Sequence, residues 1–472
     1  MKTKKKAVVL GGGIAGLAMG YHLVRENDFD VTVLEGSDRV GGLCGSFQHN
    51  GFVLDYGAHK LYSTIPGNLD RITAFMGDRL IRLDKRNRIF LNGHLVQYPL
   101  QLGNLVKVMG PGMFFKLGFG YAASLLQNIF APHPPRSYEE YMVRHFGRPA
   151  YELVFEPLAD KVWGRPSELH PEMARTRFPS SSGAEIIFKL LGLKKETKET
   201  NADTFFYPRA GFGDFPQKLK DEIESHGGEV LTRSTITGFE LRNGEVRSVG
   251  FQSNGQGSQR NCDYVISTIP LPALSRLAFA DPNGVQHAAD NLQFRHLVLV
   301  YVFVRKPKVL EDQWIFFPER RFLFSRIFEQ KQMNPQLGPA DQSAICCDFT
   351  CEETSASWKA TDEELARQCV QGLIDGKFIQ ASDVTGFLVK RFKSFYPRYD
   401  LDFAEKMEKT SQDLKSIRNL LLTGRLGMYN YNNSDHCFDM AYFIGEKLRA
   451  GVDCGAIWDA LSERVASYKI VD

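Results

Sequence analysis

The stretch Ala7-Val-Val-Leu-Gly11-Gly-Gly13-Ile-Ala-Gly16-Leu-Ala-Met-Gly20 decides the fold. Ala7–Leu10 is a short apolar run that reads as a buried strand, and Gly16–Arg25 reads as the helix that follows it. Between them Gly11, Gly13 and Gly16 form G-x-G-x-x-G. The first glycine permits a tight turn, the second lets a pyrophosphate approach the backbone, and the third lets helix and strand pack closely, with the helix N-terminus supplying positive potential. Asp30–Glu35, with β-branched Val31, Thr32 and Val33, reads as a second strand. Glu35 falls nineteen residues after Gly16, where an acid is expected to bind an adenosine ribose. Together these residues predict a dinucleotide-binding βαβ unit.

The continuation Glu35-Gly-Ser-Asp-Arg39-Val-Gly41-Gly42-Leu43 resembles the signature shared by amine oxidases, phytoene desaturases and protoporphyrinogen oxidases. In that superfamily an Arg-x-Gly-Gly turn lies along the flavin diphosphate, so the resemblance implies FAD rather than NAD as cofactor. Glycines allow close backbone approach there and Arg39 is suited to neutralise phosphate charge.

Four further segments resemble one branch, the UDP-galactopyranose mutases. Asp55-Tyr-Gly57-Ala-His59-Lys-Leu-Tyr62 is similar to the mutase Gly-Pro-His-Ile-Phe-His segment, whose first His lies beside the flavin. Gly93-His-Leu-Val-Gln-Tyr98-Pro99-Leu100 is similar to a mutase strand. Lys161-Val-Trp163-Gly164, with Arg177 beyond it, resembles the stretch and the arginine that hold a nucleotide diphosphate. Gly424-Arg425-Leu-Gly427-Met-Tyr429-Asn-Tyr431-Asn-Asn433-Ser-Asp435 resembles the long closing loop of the mutases. Two positions depart from that pattern, Tyr62 replacing a second His and Asn433 an acid. By contrast Tyr264-Val-Ile-Ser267-Thr268-Ile-Pro270, and Leu297–Val304 followed by Trp314-Ile-Phe-Phe-Pro318, resemble the redox members.

The resemblance implies catalytic roles for His59, Arg425 and Tyr431, and substrate contacts for Trp163, Arg177, Tyr399 and Tyr429. Cofactor contacts fall to Gly11, Gly13, Gly16, Glu35, Arg39, Gly42, Ile236, Gly424, Asn433 and Asp435. Each has a plainer alternative. His59 reads as a core histidine or a flavin neighbour, Trp163 as core or site edge, and Arg177 and Arg425 as structural ion pairs or as holders of a phosphate or carboxylate. Arg209, in Tyr207-Pro-Arg209-Ala-Gly211, divides evenly between a flavin loop and a structural role.

After Gly57 long helix-like segments take over: Asn68–Met76, Leu102–Ile129, Tyr138–Phe146, Ala150–Lys161 and Ala184–Leu191. Leu193–Asp203 reads as an exposed linker. Sheet-like alternation returns over Glu229–Phe251, Tyr264–Ile269, Leu297–Val304 and Ala344–Phe349, with a helix at Glu363–Leu373. A last strand at Leu420–Thr423 precedes a helix from about Asp435 to Arg449. The expected architecture is α/β: a discontinuous Rossmann-like FAD-binding domain from 1–65, 205–275 and 405–472, and an inserted α+β substrate domain from 66–204 and 276–404.

The 472 residues carry 58 Lys+Arg against 55 Asp+Glu, and a net charge of +3 gives no footprint for nucleic acid. The eight cysteines form no C-x-x-C pair and no metal spacing, which predicts free thiols, no zinc and a cytoplasmic setting. The basic start followed by Ala7–Leu17 imitates a signal peptide, but the spaced glycines belong to a nucleotide site. Lys107 and Lys116 interrupt the apolar Leu102–Ala131, and its longest uncharged stretch, Leu117–Ala131, is too short for the roughly 20 residues of a spanning helix. No membrane span is expected, with peripheral contact left open. Three functions follow: an FAD-dependent oxidoreductase acting on a small organic substrate, a non-redox nucleotide-sugar mutase, and a flavin-bound binding protein.

Overall fold

The computed structural model describes residues 4–97, 102–130, 133–175, 177, 203–279 and 287–470. The Tyr98-Pro99-Leu100 end of the Gly93 motif, the Ala184–Leu191 helix and nearly all of the Leu193–Asp203 linker lie outside them.

Lys5–Leu10 (β1) starts exposed and ends in four buried residues, Ala7 to Leu10. A strand buried this way must pair its backbone on both sides. It does so in parallel, with Phe29–Leu34 (β2) on one edge and Tyr264–Ser267 on the other. Leu420–Leu422 and Glu229–Leu231 complete a five-stranded, all-parallel sheet. The Ile14–Val24 helix (α1) lies against it with Leu17, Ala18, Met19 and Leu23 buried, and Ser434–Arg449 and Asp214–Ser225 pack on α1. The observed class is the α/β class expected. The helix begins at Ile14 rather than Gly16, because Gly16 sits inside the first turn, where its missing side chain lets α1 rest on the carbonyl of Gly11.

A second sheet of seven strands has the order Val384–Arg398, Gln293–Val304, Ser343–Cys351, Arg326–Glu329, Trp314–Phe316, Asn87–Leu91, His94–Gln97. Gln293–Val304 is paired on both edges and buries every residue from Arg295 to Val304, which fits a β-branched, apolar sequence. Three antiparallel strands from Ser234 to Asn261 form a separate small sheet. The Leu102–Phe130 helix is broken at Gly110, whose φ of 76° and ψ of 165° are not helical.

One buried carboxylate ties these parts together. Asp55 ends the hairpin Ser46–His49/Phe52–Asp55 and is 1% exposed. It accepts hydrogen bonds from the Ser46 and Tyr207 hydroxyls and, at 3.0 Å, from the Phe212 N–H. Its own N–H donates to Gln330 Oε1 at 3.3 Å, and the Tyr301 hydroxyl donates to its carbonyl oxygen. Burial raises its pKa, and the hydrogen bonds from Ser46, Tyr207 and the Phe212 N–H offset only part of that rise. Asp55→Ala strands a backbone N–H and two hydroxyls in the interior, at about 1–3 kcal/mol for each unsatisfied group. Urea unfolding of the FAD-loaded protein should therefore show a loss of about 3 kcal/mol or more, and an unchanged midpoint would contradict the role given to this network.

Candidate active site

The carboxyl ends of the parallel strands converge on the glycine turn, the position at which open α/β sheets bind ligands. Gly11 has φ +101°, and a Cβ there would lie 2.4 Å from Thr268 Oγ1. A Cβ on Gly16 would lie 1.9 Å from the Gly11 carbonyl oxygen, and one on Gly424 2.6 Å from the Cβ of Ala15. Three chain segments, after β1, after Tyr264–Ser267 and after Leu420–Leu422, thus meet around the start of α1. That helix start carries no acidic residue in its first turn and no side-chain cap. Its orphan N–H groups are therefore open to an anion, with no side chain of the helix start competing for them.

Gly41, with φ +98°, donates its N–H to Gly12 O at 2.8 Å and bridges Gly13, so the Gly41-Gly42 turn lies beside the first glycine turn. A Cβ on Gly13 would meet nothing within 4 Å, and one on Gly42 only the Cα of Gly13. Open space therefore borders bare backbone on a strip two turns wide. Glu35, just past β2, accepts from Gly12 N–H at 2.7 Å and Ser37 N–H at 2.8 Å, which fixes its carboxylate beside the strip. Ser234 N–H donates to the Glu35 carbonyl, which brings Ile236, half-buried two residues later, to the same edge. Arg39 lies over the Tyr56 ring at 4.5 Å with its side chain 45% exposed. Asn433 precedes the Ser434–Arg449 helix, and the backbone carbonyl of buried Asp435 accepts from Asn68 Nδ2 at 2.9 Å. These residues fit a dinucleotide: a backbone cradle for the diphosphate and an acid for a ribose.

His59 follows Asp55 by four residues. Its Nδ1 is 2.9 Å from the Gly57 carbonyl, and the ring stacks on Phe212 at 4.7 Å. A carbonyl only accepts, so Nδ1 carries the proton and Nε2 presents a lone pair. Burial, with the charges of Arg326 and Arg425, pushes the His59 pKa down to about 3. It is a neutral hydrogen-bond acceptor at physiological pH rather than a strong base.

Arg425 donates to the Asn432 carbonyl at 2.8 and 3.1 Å, lies 5.1 Å from the Tyr396 ring centre, and has no carboxylate partner among the described residues. Arg177 lies between two rings, 4.4 Å from Trp163 and 4.6 Å from Tyr431. The Tyr431 ring under Arg177 stacks at 5.3 Å on the Tyr396 ring under Arg425, so the two arginines flank one space. The Tyr431 hydroxyl donates to Pro397 O at 2.7 Å, and Tyr399 stacks on Phe403. Tyr429 lies 5.8 Å from the Tyr399 ring, and its hydroxyl donates to the Gln293 and Arg398 carbonyls at 2.6 and 2.8 Å. Arg209 is exposed and donates to Asp78 O.

Sequence reasoning missed Arg326. It sits in Arg326–Glu329 of the seven-stranded sheet and pairs with Asp348 at 2.6 Å, yet its charge reaches His59. The single cue is a charged residue opening an apolar strand, Arg326-Ile-Phe, and nothing in the sequence links it to residue 59. Lys161 was read with a nucleotide motif, but its ammonium donates to three carbonyls, Phe317, Glu319 and Phe324, at 2.7–2.9 Å.

A parallel sheet with two glycine turns at its carboxyl ends and an acid after β2 defines a dinucleotide-binding flavoprotein. Residues 14–425 match the model of the family described as flavin containing amine oxidoreductase, and the chain belongs to that family. Its cofactor is FAD. The chain is similar to a protoporphyrinogen oxidase of Macaca fascicularis, 28% identical over 331 residues that cover 62% of this chain and 67% of the relative. It is similar in structure to reduced UDP-galactopyranose mutase, with a TM-score of 0.83 at 19% identity over 100% of this chain and 99% of the other. A putrescine oxidase gives 0.65 at 14% identity, over 95% and 99%. At such identities the structural likeness shows the shared fold. No helix among the described residues is long and apolar enough to cross a membrane, and no group of His, Cys, Asp and Glu among them is arranged to hold a metal ion.

Two outcomes follow from this geometry. Gly13→Ala adds a methyl group to open space at an ordinary φ of −71°, so the apo fold and its Tm should be kept while bound FAD, read from absorbance, is lost. Gly16→Ala should lose both. His59 titrates in the unfolded chain near 6.5 and in the folded one at about 3. Below pH 6.5 the unfolded state takes up a proton that the folded state refuses, so stability falls as pH falls toward 3. The slope is at most about 1.4 kcal/mol per pH unit, less for the screening of a half-buried ring. His59→Gln should flatten the fall in Tm between about pH 6.5 and 5, and an identical acid limb would contradict the burial assigned to this ring.

Proposed function

We propose that this flavoenzyme is an oxidoreductase whose substrate is a small organic anion, held by Arg177, Arg326 and Arg425 beside His59. The observation that carries this reading is the convergence of two guanidinium groups on one pair of rings: Arg177 lies 4.6 Å from the Tyr431 ring centre, Arg425 lies 5.1 Å from that of Tyr396, and the two rings stack at 5.3 Å. Arg326 is already paired with Asp348, whereas Arg425, set against the Tyr396 ring with no carboxylate partner among the described residues, is costly to desolvate unless an anion completes it. FAD supplies the two-electron acceptor when bound. The arginines fix the substrate's anionic groups, Tyr396, Tyr399 and Tyr431 wall off water, and His59 Nε2 accepts a hydrogen bond from a substrate N–H or O–H. Curated relatives named as protoporphyrinogen oxidases support this reading, since protoporphyrinogen is an organic reductant bearing carboxylates.

A second reading, a nucleotide-sugar mutase, is favoured by one arrangement. Arg177 lies between Trp163 and Tyr431, and buried Trp163 Nε1 has no hydrogen-bond partner among the described residues, so a flat base and a diphosphate would both find contacts there. Each reading needs Arg425. Removing a charge-assisted contact costs about 1.5–3 kcal/mol, so Arg425→Ala should weaken the affinity for uridine diphosphate, or for a porphyrin dicarboxylate, roughly ten- to a hundredfold by flavin fluorescence. FAD content should be unchanged. Equal affinity for both probes in wild type and variant would overturn the anion-holding role.

A further inference from the structure

The Leu102–Phe130 helix is amphipathic in the reverse of the usual sense. Its packed face is small and polar. A Cβ on Gly120 would lie 2.3 Å from Pro149 Cδ, Ser124 is 3% exposed, and Asn128 Nδ2 donates to Arg144 O at 3.0 Å. Those three residues recur every fourth position and so share one stripe. Half a turn away, Phe115, Phe119, Leu126, Ile129 and Phe130 form a second stripe that faces outward.

With Leu125 beside them, these side chains are between 45% and 83% exposed, and they account for six of the nine exposed large hydrophobics among the described residues. At about 200 Å² for a full phenylalanine surface and somewhat less for leucine or isoleucine, they present on the order of 700 Å². The largest apolar patch of an ordinary monomer is roughly 300–600 Å². Water is a poor solvent for such a face.

Two features choose the occupant. Every residue from Leu125 to Phe130 is exposed, and although Asn128 keeps its hydrogen bond to Arg144 O, the tip of the helix stands clear over most of its circumference. A flat protein partner covers one side of such a tip, whereas the headgroup and acyl boundary of a bilayer surrounds it. Charge agrees: residues 102–130 contain no acid, Lys116 and Arg136 are exposed at the flanks, and the nearby Glu139 and Glu140 are paired with Arg148 and Arg144. Basic flanks and an apolar face are the marks of a helix that lies in the interface of an anionic membrane without crossing it.

We propose that the segment from Phe115 to Phe130 is a monotopic membrane anchor that seats the helical insertion on an anionic lipid bilayer. The inference stands independently of the substrate reading.

Co-sedimentation of the FAD-loaded protein with phosphatidylcholine vesicles containing phosphatidylglycerol tests it. Wild type should pellet with these vesicles. A Phe119→Ser, Ile129→Ser, Phe130→Ser triple variant, with unchanged FAD content and Tm, should bind on the order of tenfold more weakly or less. Phe119→Trp should show a blue-shifted emission on mixing with the same vesicles. Wild type left in the supernatant, or equal binding by wild type and the triple variant, would overturn the proposal. So would a wild-type dimer in sedimentation equilibrium that the triple variant lacks, with no lipid binding, which would assign the face to a second copy.

Discussion

The structure hangs on the burial of Asp55. Its carboxylate and its peptide group join four segments far apart in sequence: the hairpin it ends, Tyr207 and Phe212 of the returning chain, Tyr301 in the centre of the seven-stranded sheet, and Gln330 at that sheet's turn. Burying a carboxylate costs several kcal/mol unless its lone pairs are used. Here each oxygen has a donor, and Tyr207 is in turn bonded by Gln330 at 2.6 Å. The network also fixes the approach to Gly57 and His59, since only Tyr56 separates Asp55 from Gly57, whose carbonyl orients the ring.

Electrostatics then divide the space in two. On the parallel sheet the positive potential comes from backbone, from the uncapped start of α1 and the bare Gly41-Gly42 turn, and suits a diphosphate. Over the seven-stranded sheet it comes from side chains, Arg177, Arg326 and Arg425, set among tyrosines. The two kinds of cation differ in consequence. Backbone dipoles are fixed by the fold and leave no room for substitution, whereas guanidinium groups reach, stack on rings and select for shape. His59 is held neutral by burial and by the charges of Arg326 and Arg425.

Much of the parallel sheet was legible in the sequence, because βαβ units announce themselves locally. Apolar runs mark Ala7–Leu10 in the parallel sheet and Leu297–Val304 in the seven-stranded one, glycines mark the turns, and Asn68–Met76 and Tyr138–Phe146 form helices at the residues expected. The fifteen-residue strand Val384–Arg398 escaped notice. It carries Lys390, Arg391 and Lys393, and it edges the sheet, so most of its residues are half-buried or exposed and leave little apolar signal. Long-range electrostatics were equally hidden: Arg326 and His59 are 267 positions apart, and no local pattern records their approach. The outward face of Leu102–Phe130 was not legible, since periodicity finds an apolar stripe but says nothing of which way it points.

The central claim is that an organic anion held among these arginines gives up two electrons to the flavin. Anaerobic stopped-flow mixing of oxidised protein with protoporphyrinogen, followed in the flavin absorbance, tests it most directly. The account predicts bleaching that saturates with substrate, reverses on admitting oxygen, and needs higher substrate concentration in Arg425→Ala. No bleaching by this anionic reductant, together with turnover of a nucleotide sugar by the pre-reduced protein, would contradict the account.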